Sequence, residues 1–309
     1  MPRDPREIAY EKHVRAALKK WRSAEDELLG EVSSILRSYR AEVVAQFVPV
    51  TDWQSHYLGE VERSVRETMA AAANRLSGTW RSAAVRATAI AFSSVDDPLT
   101  AIGLPVVTTP APNIQQLAIL NQIVPELIVD VTDDVTKQVR SLMRQAQMGG
   151  LSKTDLVTRI GNVVGPLRPG RQRPPGTVFS KANVRARTIL RTEMNRLHNL
   201  AKMQRAGQLS ERYPGVGVKW IHNPSPQPRP RHERLHGTVI YPAKGEKFHI
   251  GEYLVDGPHD LSLPAEDTIN CHCTLVVVYL PPASSELFGF VPADPVPAAG
   301  LRVPAKKRG

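Results

Sequence analysis

The sequence predicts an α+β protein that is predominantly helical, with long N-terminal helices followed by a C-terminal helix and a small antiparallel sheet. Three observations carry this prediction. Apolar residues recur every three or four positions through the first two thirds of the chain, the period of one helix face. Beyond about residue 213 the period changes to alternation, as in a strand with one covered face. Finally, 26 prolines and only 6% aromatic residues in 309 imply ordered elements separated by irregular connections.

The elements follow in order. From Glu7 to Phe47 the positions Val14, Leu18, Trp21, Leu28, Val32, Leu36, Tyr39, Val43 and Phe47 form one stripe, predicting a helix of roughly 60 Å. "PVTDW" interrupts it. A second stripe through Leu58, Val61, Val65, Met69, Ala72, Leu76, Trp80 and Ala83 predicts an antiparallel partner, so residues 1–92 read as a helical hairpin. Residues 93–113 hold four prolines and no helical period, and read as an extended linker or arm. Residues 114–164 return to helix, with a restart at Pro125, a stop at "MGG", and a short helix capped by Ser152 and Asp155. "GPLRPGRQRPPG" at 165–176 excludes regular structure and opens the last predicted domain, 165–281. That domain has a helix over about 180–208, striped by Ala186, Leu190, Leu197, Leu200 and Ala201, then strands in "VGVKWIH", "GTVIY" and "CTLVVVYL". Residues 282–309 are a proline-rich basic tail.

Charge is unevenly placed. Residues 1–150 carry 17 Lys/Arg against 18 Asp/Glu, and residues 151–309 carry 23 against 12, so the whole net charge of +10 lies in the second half. Arg168, Arg171 and Arg173 in the proline loop, and Lys306, Lys307 and Arg308 at the end, are the candidate phosphate contacts, since clustered cations displace the counterions condensed on nucleic acid. A polyanionic partner is expected, either double-stranded DNA bound non-specifically or an acidic protein surface. The charged N-terminus and the lack of any long apolar run predict no membrane partner and synthesis in the cytoplasm. The two cysteines, Cys271 and Cys273, are too close in sequence for an unstrained disulfide.

Four stations concentrate the chemistry: "RTE" at 191–193, "KW" at 219–220, "RPRHERLHG" at 229–237, and "NCHC" at 270–273. In this order and spacing the sequence resembles the phage Mu F-like minor head proteins, the head-morphogenesis family of tailed phages, over roughly residues 150–281. The structural motif positions are Arg191, Glu193, Trp220, Arg229, Arg231, Gly237 and Asn270. His272 departs from the arginine usual between the cysteines, and His236 from the usual Asp or Asn. The resemblance implies a non-enzymatic minor capsid protein in the virion, inside the head near the portal vertex and in multiple copies. Portal protein, major capsid protein or scaffold would be its partners, and head assembly or DNA packaging and ejection its role.

The His and Cys residues admit three readings. In the first, no cofactor is bound, the asparagine shapes a turn and the thiols pack as small hydrophobes. In the second, His232, Cys271, Cys273 and His236 surround zinc, with His249 or His259 as substitutes for His236. In the third, a zinc-dependent hydrolase or toxin-like effector carries this module, with "HERLH" as a His-Glu-x-x-His pattern whose flanking Pro230 and Gly237 leave barely two turns of helix. Glu193 is expected to clamp its helix to the turn through Arg229, Arg231 or His232, with an ordinary exposed helix pair to Arg196 as the alternative.

Overall fold

A computed structural model describes residues 5–49, 55–106, 114–161, 178–223 and 229–280. The chain forms helices α1 (Pro5–Phe47), α2 (Ser55–Ala101), α3 (Ile114–Gln147), α4 (Lys153–Gly161) and α5 (Val178–Arg212). Strand β1 (Val216–Ile221), helix α6 (Pro230–Glu233), β2 (Val239–Ile240), β3 (Phe248–Ile250), β4 (Tyr253–Val255), helix α7 (Ala265–Thr268) and β5 (Thr274–Tyr279) follow. The fold is thus α+β and mostly helical. The chain divides into two units of interleaved segments, 1–25 with 85–117 and 192–309, and 26–84 with 118–191, unlike the contiguous domains read from the sequence.

The all-helical unit, 26–84 with 118–191, is built from amphipathic stripes. Leu28, Val32, Leu36, Val43 and Phe47 of α1 and Val65, Met69, Ala72, Leu76 and Trp80 of α2 are buried. So are Val124, Ile128, Val131, Val135 and Val139 of α3. The first two helices run antiparallel, since Thr79 donates to Glu31 and Gln46 to Thr68, so pairing partners move apart in sequence as in a hairpin. Arg140 of α3 pairs with Glu62 of α2, and Arg185 of α5 with Asp134 of α3. Ser152 accepts from the Asp155 N–H at 3.0 Å, capping α4.

Two proline boundaries differ from expectation. Helix α2 does not stop at residue 92: it continues to Ala101 with Pro98 inside it, so residues 93–101 of the expected linker are helical. Proline there removes the hydrogen bond to the Ser94 carbonyl, a cost of about 3 kcal/mol. Burial of Val95 and Leu99, with the Asp96–Arg205 ion pair, offsets that loss. Likewise α3 runs through Pro125 without restarting. The expected linker residues 107–113 lie outside the described residues, as do 162–177 and 281–309 with Arg168, Arg171, Arg173, Lys306, Lys307 and Arg308.

The other unit holds the sheet. Strand β1 is central, with β2 and β5 antiparallel on either side in the order β2-β1-β5, and Trp220 opposite Leu275. All six residues of β1 are buried, so both its faces are covered, where alternation predicted one. Tyr10, Val14, Val95 and Leu99 join Val218, Trp220, Phe248, Ile250, Val255, Cys271, Cys273, Leu275 and Val277 in one core. The Tyr10 hydroxyl donates to the Val277 carbonyl. β3 and β4 form a separate hairpin about a two-residue turn, in which Gly251 takes φ 60°, a conformation L side chains resist.

Candidate functional site

Leu275 lies opposite Trp220, and its N–H and C=O both face the open edge of β5, away from β1. Helix α5 closes that edge with side chains. Asn199 accepts from the Leu275 N–H and the Thr274 hydroxyl, both at 3.1 Å, and donates to the Cys273 carbonyl at 3.3 Å. Lys202 donates to the Leu275 carbonyl at 2.9 Å and to the Thr274 hydroxyl at 3.3 Å. An edge that would otherwise recruit another strand is thereby consumed internally. Burial lowers the Lys202 pKa to about 7.

Nearly two turns before Asn199, Glu193 is buried, but its partner is Arg196 on the same helix. The expected clamp to Arg229, Arg231 or His232 is not formed. Arg196 instead carries the connection, donating to the His259 carbonyl at 2.9 Å. His259, at φ 65°, sits fully buried with Nε2 3.0 Å from the Cys271 carbonyl and Nδ1 3.3 Å from Asn199. A carbonyl only accepts, so Nε2 carries the hydrogen and both ring nitrogens are occupied.

The arginine-rich turn finds its acid elsewhere, on α7. Arg229 donates to the Glu266 carbonyl at 3.0 Å and to the Ile269 carbonyl, satisfying the end of that short helix. Arg231 pairs with Glu266 and Asp267, each at 3.2 Å. His232, with no exposed surface, places Nε2 3.2 Å from Asp267 Oδ1. Gly237 closes the turn at φ 84°, with its N–H donating to the Trp220 carbonyl at 2.9 Å. The turn is therefore stitched both to the sheet and to the loop entering β5.

That loop is "NCHC". Asn270 adopts φ 57°, in the left-handed region that asparagine tolerates better than most residues. Its contribution is the backbone bend that turns both thiols inward. Cys271 and Cys273 are free and buried, and the Cys273 N–H points at Cys271 Sγ at 3.4 Å. His232 Nδ1 is 3.5 Å from Cys271 Sγ and 3.6 Å from Cys273 Sγ. Donor atoms of these three residues all lie within 4.8 Å of one another. His222 Nδ1 stands 3.5 Å from the Cys273 sulfur. The hydrogen bond from Cys273 holds the Cys271 pKa well below the ordinary thiol range, while burial pushes that of Cys273 well above it.

Of the four expected metal ligands, three come together and His236 does not. His236 is exposed, and its Nδ1 accepts from the His222 backbone N–H at 3.1 Å. Neither substitute serves: His249 faces outward from β3 and His259 is occupied as described. The "HERLH" pattern also fails as a protease signature, because α6 spans only four residues and its two histidines end one buried, one exposed. Nor does Cys271 suit a nucleophile, being 1% exposed. Sequence reasoning missed Asn199, Lys202, Asp267 and His222. The helical spacing of Thr192, Asn195, Asn199 and Lys202 was the available signal for the first two, a polar stripe on a buried face.

Among known proteins, a family model described as Phage Mu protein F like protein matches residues 137–276, from within α3 into β5. The four motif stations all fall inside that span. No curated protein matches the chain, and no solved structure does.

Proposed function

Since residues 137–276 belong to the phage Mu protein F-like family, we propose that this protein is a minor capsid protein of a tailed phage or prophage that acts in head morphogenesis. The family match is the observation that carries the reading. In this account the protein is made in the host cytoplasm, enters the procapsid in several copies near the portal vertex, and docks on portal, major capsid or scaffold subunits. It works without catalysis. The conspicuous polar residues support that: Asn199, Lys202, Arg229 and His259 are engaged in satisfying backbone groups of the fold, and Arg231 in pairing with Glu266 and Asp267. No helix among the described residues is long and apolar enough to cross a membrane.

Contact with packaged DNA is the second part of the proposal, supported by the excess of Lys and Arg in residues 151–309. Phosphate contacts of this kind are independent of base sequence and weaken steeply with salt, by about 0.9 in the log–log slope per neutralised phosphate.

Disrupting the gene in the phage that encodes it should lower titre and leave heads defective in assembly or DNA content. Mass spectrometry of purified procapsids should detect the chain at low copy number. Its absence from procapsids and virions, with titre unchanged on disruption, overturns the reading. Two unrelated duplexes should bind with equal affinity that falls with added salt, and binding indifferent to salt removes the DNA contact alone.

A further inference from the structure

We propose that Cys271 Sγ, Cys273 Sγ, His232 Nδ1 and His222 Nδ1 form a closed structural zinc site. Asp267 Oδ1 is an acceptor, so Nε2 of His232 carries the ring hydrogen and Nδ1 presents its lone pair to both sulfurs at once. One S–H donor satisfies that lone pair and accounts for one of the two distances. A shared cation accounts for both.

The lengths agree with this. With Zn–S of about 2.3 Å and Zn–N of about 2.0–2.1 Å, tetrahedral geometry separates sulfur and nitrogen ligand atoms by about 3.5–3.6 Å. The three His–Cys separations are 3.5, 3.6 and 3.5 Å. His222 is nearest to Cys273 and lies outside the mutual 4.8 Å reach of the other three, so closing the fourth position requires a small movement of this half-buried ring toward Cys271.

The surroundings are those of a metal site. The carboxylate of Asp267 on the far nitrogen of His232, itself held by Arg231, fixes tautomer and ring orientation. The Cys273 N–H directed at Cys271 Sγ favours a thiolate there. Trp220 stands edge-on to the His232 ring at 5.7 Å. Two thiolates and two neutral imidazoles around one Zn²⁺ have no net charge, which suits a dry core, and this donor set favours zinc over harder cations. Binding releases the thiol protons to solvent. With four protein ligands no position is left for a substrate, so the ion's work is to fasten the arginine turn and the end of β1 to the start of β5.

The test is metal analysis of the full-length protein, purified without chelator. About one zinc per chain is expected. Cys271→Ser and Cys273→Ser should each reduce it at least about fivefold, and His222→Ala and Asp267→Asn should weaken retention against a competing chelator by about 10-fold or more. His236→Ala and His249→Ala should retain it. If the serine variants fail to fold, cobalt exchange into the unaltered protein decides, through the thiolate charge-transfer band and intense visible bands of a four-coordinate ion. Folded protein that holds no zinc and gives no such spectrum overturns the site. Loss of zinc in His236→Ala with retention in His222→Ala overturns the assignment of the fourth ligand.

Discussion

Lys202 should make this protein more stable as pH rises from 7 toward 10. Its ammonium is buried against two neutral acceptors, the Leu275 carbonyl and the Thr274 hydroxyl, and its pKa falls from 10.5 to about 7. Below pH 7 folded and unfolded chains both hold the proton, and the full cost of the buried charge is present. Between about 7 and 10.5 only the unfolded chain holds it, so stability climbs with pH, and above 10.5 it levels off. At about 1.4 kcal/mol per pH unit the whole rise is about 5 kcal/mol. Replacing Lys202 with Met removes the charge and its pH dependence but leaves the Leu275 carbonyl without its donor, while the Thr274 hydroxyl keeps its bond to Asn199, a loss of about 1–3 kcal/mol. Lys202→Met should therefore be the more stable protein at pH 6 by about 2–4 kcal/mol, and the less stable one above about pH 9. Urea unfolding followed by hydrogen exchange of the β5 peptide, with both proteins compared at each pH, reads this difference in the relevant unit. A difference that stays constant from pH 6 to 9 would refute the reasoning, because it would mean that the folded chain binds the Lys202 proton as tightly as the unfolded one.

Three further outcomes follow from neighbouring geometry. Asp96→Ala strands Arg205, which it holds at 2.6 and 3.0 Å with the guanidinium almost wholly buried, and should cost about 2–4 kcal/mol in urea unfolding of the same β5 peptide. Asn270→Gly should leave stability within about 0.5 kcal/mol, whereas Asn270→Ala, forced to φ 57°, should lose about 1 kcal/mol, a contrast that thermal unfolding can read. A Cβ on Gly215 would sit 2.0 Å from the Leu280 carbonyl oxygen, so Gly215→Ala should force β1 and β5 apart at their ends and lower the melting temperature, while Gly59→Ala, with open space around it, should not.

Much of this architecture is legible in the sequence because burial there follows a single period. The stripes from Val14 to Phe47 and from Val61 to Ala83 are buried where periodicity puts them, apart from Leu18 and Tyr39, which are partly covered. Proline misled at Pro98 and Pro125, since a helix interior accepts the loss of one hydrogen bond when the residues around it fill a core. The hairpin of β3 and β4 escaped notice because three-residue strands carry too few alternations to stand out, although the Gly-Glu turn between "FHI" and "YLV" was a usable signal. At the site, residue types and spacing singled out His232, Cys271 and Cys273. The choice among His222, His236, His249 and His259 depends on which ring nitrogens are already occupied, and that is a property of the folded network alone.

The same network changes how the net charge should be read. Counting residues assigns every lysine and arginine of the second half to a surface that could meet a polyanion. Arg196 and Arg205, however, are turned inward onto Glu193 and Asp96, Arg229 and Arg231 are spent on the loop before β5, and Lys202 is buried onto the Leu275 carbonyl, where burial lowers its pKa. A cation whose field is cancelled by a carboxylate a few ångströms away releases no counterion when a phosphate approaches. The phosphate contacts proposed for this protein are therefore not assigned to these five residues, and Arg168, Arg171, Arg173 and the Lys306–Arg308 cluster remain the candidates read from the sequence. Neutralising those six should flatten the salt dependence of DNA binding, whereas Arg229→Gln or Arg231→Gln should change stability before it changes affinity.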